Sequence, residues 1–131
     1  MKSVGLDTSV VVRLLTGDPP SHAQTARALI AACRTNNTRV YISDLVVVET
    51  YHALIYHYDA SKSDAISALL ALLHHPGIYA TGHAMEVLAE YTGSGPGLTD
   101  RLIRSDLLDQ TDEVVTFDSD FAKLSKTRRL T

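Results

Sequence analysis

Carboxylates recur where apolar runs of this chain give way to polar sequence. Asp7 follows the apolar stretch ending at Leu6, Glu49 sits inside LVVVETYHALI, Asp100 opens DRLIRSDLL behind TGSGPG, and Asp118 with Asp120 ends VVTFDSD. For most of these acids a local reason exists, because Asp and Ser accept hydrogen bonds from the free N–H groups that start a helix. Glu49 has no such reason. Its helical neighbours include Leu45, Val46, His52 and Ala53, and an ionised carboxylate among apolar side chains is costly unless a cation compensates it, the alternative being an exposed Glu on the one wet side of that helix.

Carboxylates gathered in one place repel each other and raise one another's pKa unless a hard cation sits among them. Oxygen-only donors suit Mg²⁺ or Mn²⁺. A zinc site is disfavoured, since Cys33 is the only cysteine, His52 and His57 are five residues apart, and His74 and His75 are adjacent ahead of Pro76. The histidines therefore read as structural or surface residues. A carboxylate-held divalent ion is the usual apparatus of phosphoryl chemistry. Neither a P-loop nor a GxGxxG fingerprint follows a strand, so no nucleotide cofactor is implied and a phosphodiester hydrolysed by water is the natural substrate.

The elements that must position these acids follow from periodicity and caps. An apolar stretch through Leu6 reads as a strand, followed by a helix after Asp7, Thr8 and Ser9 that Gly17-Asp18-Pro19-Pro20 ends. Further helices are expected over 21–35, 45–58, 61–74, 83–91 and 100–109, the third of these capped by Ser61 and the last by Thr99, with Ser43 and Asp44 as caps of helix 45–58. Strands are expected at 40–42, 78–80 and 114–117, and a last helix containing Phe121. Strands separated by helices, with no hairpin signal, imply an α/β fold, an α/β/α sandwich around a mostly parallel sheet. In such sheets ligands bind beyond the carboxyl ends of the strands, where these acids lie.

At 131 residues with 45% hydrophobic content, the chain is expected to form a single domain over 1–131 around one core. No apolar run is long enough to cross a bilayer and no secretory signal pattern opens the chain, so a soluble cytoplasmic protein is expected, with no membrane partner. A net charge of -3 argues against coating nucleic acid by charge alone. Lys123, Lys126, Arg128 and Arg129 crowd the end of the chain and read as a solvated tail or a basic edge.

With these residues assembled, the chain resembles the PIN-domain ribonucleases, and within them the VapC-type toxins of toxin-antitoxin pairs. The resemblance runs through GLDTSVVVRLL around Asp7, ISDLVVVETYHAL around Glu49, LTDRLIRSDLL around Asp100 and VVTFDSDFAKL around Asp118. It implies that Asp7, Glu49 and Asp100 hold the essential Mg²⁺ or Mn²⁺, that Asp118 completes the cluster or binds a second ion, and that Asp120 contributes less directly. The hydroxyls of Ser9 and Thr116 would orient ligands or water. It further implies endonucleolytic cleavage of RNA to 5′-phosphate and 3′-hydroxyl ends, homodimers, and inhibition by a cognate antitoxin.

The chain departs from that pattern behind the third acid, where DRLIRS stands in place of the small residues common in the family. Arg101 and Arg104 then have two readings, contact with RNA phosphates or, for Arg101, pairing with a site carboxylate in competition with metal. Outside the nuclease reading, the alternatives are a catalytically idle RNA- or partner-binding module on the same fold and a phosphate-accepting receiver domain. The receiver expects paired acids after the first strand and a lysine after the last, and Asp7 stands alone.

Overall fold

The structure, a computed structural model, describes residues 2–131. Strand β1 (Ser3–Gly5) leads into α1 (Thr8–Thr16) and α2 (Pro20–Thr35), then β2 (Arg39–Ile42), α3 (Asp44–His57), α4 (Lys62–Leu73) and β3 (Ile78–Ala80). Helices α5 (Ala84–Glu90) and α6 (Leu98–Leu108) follow, then β4 (Val114–Thr116), a single 3-10 turn over Phe121–Lys123, and β5 (Thr127–Arg129). All pairings are parallel, as expected of strands linked by helical crossovers. The chain thus builds an α/β sandwich of the expected class.

Two features differ from the expectation. The strands form a three-stranded ladder in the order β1-β2-β3 and a separate two-stranded ladder of β4 with β5. Arg128 and Arg129, read with Lys123 and Lys126 as a solvated tail or basic edge, form with Thr127 a strand that pairs with Val114, Val115 and Thr116. The pattern was too short to show periodicity, and a bidentate ion pair between Arg128 and Glu113, 2.9 Å at its closest, fastens the strand across the ladder. The helix expected at Phe121 is only that 3-10 turn, since Lys123 is followed by Leu124 in extended backbone.

In the central ladder β2 lies between its neighbours, with Val40 opposite both Val4 and Ile78. Val40 and Ile42 are buried there, and the core continues into Val11 of α1, Val47 and Leu54 of α3, and Leu69 of α4. Helix α1 packs on both α2 and α3, which places the residue after β1 beside the face of the helix after β2. Four buried residues of α3 (Val47, Thr50, Tyr51, Leu54) repeat at three- and four-residue spacing, so its opposite stripe of Leu45, Glu49, His52 and Tyr56 faces out.

Asp44 corrects a cap assignment. Ser43 alone caps α3, its hydroxyl accepting from the Val46 N–H at 3.3 Å. The Asp44 carboxylate instead reaches across to α5, where Oδ2 accepts from the His83 N–H at 3.2 Å and Oδ1 from the Ala84 N–H at 3.0 Å. Helix α5 has no side-chain cap of its own, so a residue distant in sequence satisfies its first donors. Gly82 makes this approach possible, because a Cβ there would run into the Asp44 carboxylate. Thr99 likewise does not cap α6, which starts one residue earlier at Leu98 behind Gly97 and has no side-chain cap.

His83 also ties α5 to the end of α6. Its Nε2 lies 2.7 Å from Asp109 Oδ2 and its Nδ1 3.4 Å from Glu86 Oε2. The hydrogen bond to Asp109, with Glu86 adding to it, holds the imidazolium form above its ordinary range against the opposing effect of burial.

Two outcomes follow from these contacts. Gly82→Ala displaces Asp44 from both donors and lowers stability by about 1–3 kcal/mol, read as the urea midpoint. Because the pKa of His83 is raised on folding, its contribution is full below the unfolded value of about 6.5 and is lost as pH rises through the folded value. Solvent screening limits that contribution to about 1 kcal/mol at most. Melting wild type and His83→Gln between acidic and mildly alkaline pH checks this, since the glutamine variant loses that part of the pH dependence.

Candidate metal and catalytic site

Asp7 occupies the turn between β1 and α1. Its Oδ1 accepts from the Ser9 hydroxyl at 2.6 Å and from the Val10 N–H at 3.3 Å, which caps α1. Those bonds, the serine first, hold its carboxyl below the usual carboxylate range. Glu49 lies on the exposed stripe of α3, so it is the wet-side residue and no cation is needed to offset burial there; its Oε1 accepts from the Thr8 hydroxyl at 3.2 Å. That single bond brings the segment after β1 and the helix after β2 to one point. Thr8 was not singled out from the sequence, where it reads as one more cap residue.

Asp118 follows β4 and is oriented in the same manner. Its Oδ1 accepts from the Asp120 N–H at 2.8 Å, and its own N–H donates to the Thr116 hydroxyl at 3.0 Å. Among the described residues, Oδ2 of Asp7, Oε2 of Glu49 and Oδ2 of Asp118 accept no protein hydrogen bond. Capping and a site role are therefore compatible, since one oxygen of each carboxylate serves the backbone or a hydroxyl and the other is left free.

Asp100 lies in the first turn of α6, where a helix N-terminus favours a negative charge by about 0.3–1 kcal/mol. Its carboxyl is nonetheless held above the usual range, by burial first and then by the negative charges of Asp118 and Asp120. Asp100 thus shares an electrostatic neighbourhood with the acids after β4. Asp120 differs from the rest in having a partner, Lys123 Nζ at 3.0 Å.

Neither arginine of DRLIRS pairs with a carboxylate. Arg101 donates from Nε to the Pro96 carbonyl at 2.7 Å and lies 4.9 Å from the Tyr91 ring centroid, clamping the turn that Gly93 and Gly95 form at positive φ. Arg104 donates from Nε to the Ser125 carbonyl at 2.6 Å. Asp7, Glu49, Asp100 and Asp118 are in no ion pair with a Lys or Arg among the described residues.

The donor chemistry fits a hard divalent ion: oxygens only, oriented, and without protein cations to compete. As they stand, no three His, Cys, Asp or Glu side chains among the described residues are close enough to hold one ion. Thr8, next to Asp7, meets Glu49, and Asp100 lies within reach of the charges of Asp118 and Asp120. Repulsion among unneutralised carboxylates favours keeping the acids apart.

Replacing one acid therefore has a signature. Asp100→Asn relieves burial and repulsion together and raises the melting temperature of metal-free protein by a few degrees. A fall in EDTA would assign Asp100 to helix stabilisation alone.

No curated protein matches the chain. Residues 4–127 match the family model of the PIN domain, generally a metal-dependent nuclease fold that acts on nucleic acid. With that match over nearly its whole length, set on a parallel α/β scaffold with acids beyond its strands, the chain belongs to the PIN-domain family.

Proposed function

We propose that this protein is a metal-dependent endoribonuclease, the toxin of a VapC-type toxin-antitoxin pair, hydrolysing RNA phosphodiester bonds at Asp7, Glu49, Asp100 and Asp118. The observation that carries the reading is the set of carboxylates after β1, on α3, on α6 and after β4, oriented by neighbouring donors or packing yet paired with no protein cation. Capping accounts for one oxygen of Asp7 and of Asp118, but the free oxygens, and Asp100 held beside two like charges, add no stability, so a ligand accounts for them better than structure does.

Asp7, Glu49 and Asp100 would hold Mg²⁺ or Mn²⁺, with Asp118 completing the set or serving a second ion. Bound there, the ion supplies Lewis-acid polarisation of a phosphate and makes a water more acidic. The Ser9 hydroxyl holds Asp7 in one orientation, and the Thr116 hydroxyl holds the backbone from which Asp118 projects. Asp120 is balanced by Lys123 and acts on Asp100 through its charge. Arg101 and Arg104 shape the rim by fixing the 94–96 turn and the chain near Ser125, and remain candidates for phosphate contact through their remaining N–H groups. A toxin of this kind acts as a homodimer and is restrained by an antitoxin, whose arginine would satisfy the free carboxylate oxygens by bidentate bonds.

Purified protein is expected to cut RNA with Mg²⁺ or Mn²⁺ and to stop in EDTA. Asp7→Asn and Glu49→Gln each lower the rate by about a hundredfold or more while the fold persists, because Asn still caps α1. Asp7→Asn cutting at the wild-type rate would remove the assignment. RNA binding without metal-dependent cutting would favour a catalytically idle RNA- or partner-binding module.

A further inference from the structure

The exposed stripe of α3 does not stop at Glu49. His52 and Tyr56 continue it at three and seven residues beyond, with ring centroids 6.0 Å apart, and Tyr56 is 74% exposed. An open cleft of about 210 Å³ adjoins them, its walls including Tyr51, His52, Tyr56, Lys62, Tyr91 and the acid Asp100. Two of the lining tyrosines are packed in place: Tyr51 and Tyr91 are buried, their hydroxyls lie 3.4 Å apart, and the Arg101 guanidinium is packed over the Tyr91 ring. Lys62, at the mouth, is exposed and in no ion pair among the described residues.

One exposed tyrosine on a helix needs no explanation. Here aromatic rings, a free cation and a candidate site carboxylate share one cleft, and that combination selects a ligand. Flat π-faces take bases by stacking, a lysine takes backbone phosphate, and neither depends on sequence. Bases within an A-form duplex are already stacked and cannot reach a side wall, whereas an unpaired base can splay out into it. Along α3, Tyr56 stands about 10 Å from Glu49, a short step along an extended strand.

We propose that His52 and Tyr56 form a stacking platform for an unpaired base next to the bond being cut, with Lys62 holding a neighbouring phosphate. This rests on the nuclease reading for its purpose but not for its test, because binding is measured without cutting.

The probes are a short fluorescein-labelled single-stranded RNA and a duplex of the same sequence, titrated with the full chain in EDTA and followed by anisotropy. Wild type is expected to bind the single strand at least about tenfold more tightly than the duplex. Tyr56→Ala weakens single-strand binding by about tenfold, His52→Ala by less, and Tyr56→Phe, which keeps the π-face, stays within about twofold of wild type. Duplex binding and melting temperature are unchanged in all three, as befits exposed side chains. Single-strand binding that is absent in wild type, or unchanged in Tyr56→Ala and His52→Ala, overturns the platform. Cutting assays with Mn²⁺ separate the two ideas: a protein that binds through Tyr56 but never cuts loses the nuclease reading and keeps the platform, and one that cuts with binding indifferent to Tyr56 does the opposite.

Discussion

Asp100, partly desolvated, is repelled by the charges of Asp118 and Asp120, and packing elsewhere must outweigh that cost to keep them together. Asp100 displays the conflict: it lies in a first turn that suits negative charge, while burial and the charges of Asp118 and Asp120 hold its carboxyl above the usual range. The fold answers by orienting the acids without neutralising them. Ser9 and the Val10 N–H hold Asp7, Thr8 holds Glu49, and the Asp120 N–H holds Asp118. Each bond fixes one oxygen and leaves the other for a ligand, which is the condition an ion-binding site has to meet.

The positive charge that could spoil this arrangement is spent on the backbone. Arg101 and Arg104 follow the third acid, close enough in sequence to be natural partners for it. Their guanidinium groups instead donate to carbonyls of Pro96 and Ser125 and so fix the two segments that border α6. A planar group with several donors suits that task, because it can span two strands of irregular chain at once. The departure from small residues at these positions thus reads as structural support for the loop rather than as an intrusion on the acids.

Helix α3 divides its labour by face. Val47, Thr50, Tyr51 and Leu54 enter the core, and Glu49, His52 and Tyr56 lie on the stripe left outside. Its polar end also caps α5 through Asp44, so one helix positions an acid, carries the aromatic platform and anchors its neighbour. A change in its register would move all three together.

Much of this was legible in the sequence, and the reasons are local. Apolar runs interrupted by caps and by Gly17-Asp18-Pro19-Pro20 located β1, α1 and the ends of most helices, and the acids stood out by their places after apolar runs, although Glu49, read against apolar neighbours, lies on the wet stripe of its helix. What was not legible depends on distance in space. Nothing near Asp44 in sequence signals that it caps α5, since its donors lie at His83 and Ala84, and the need for glycine at position 82 appears only once that carboxylate is placed. Thr127–Arg129 is too short to declare itself a strand without β4 beside it. His52, read as one more surface histidine, gains its meaning from Tyr56 one turn on and from a cleft whose far wall, Tyr91, belongs to another part of the chain. Helical and strand periodicity is written into neighbouring residues, so the sequence alone determined the longer helices, the first four strands and the inventory of acids. Convergence of side chains is set by how those elements pack, and only the tertiary structure decided which acids share a neighbourhood and which donors hold them.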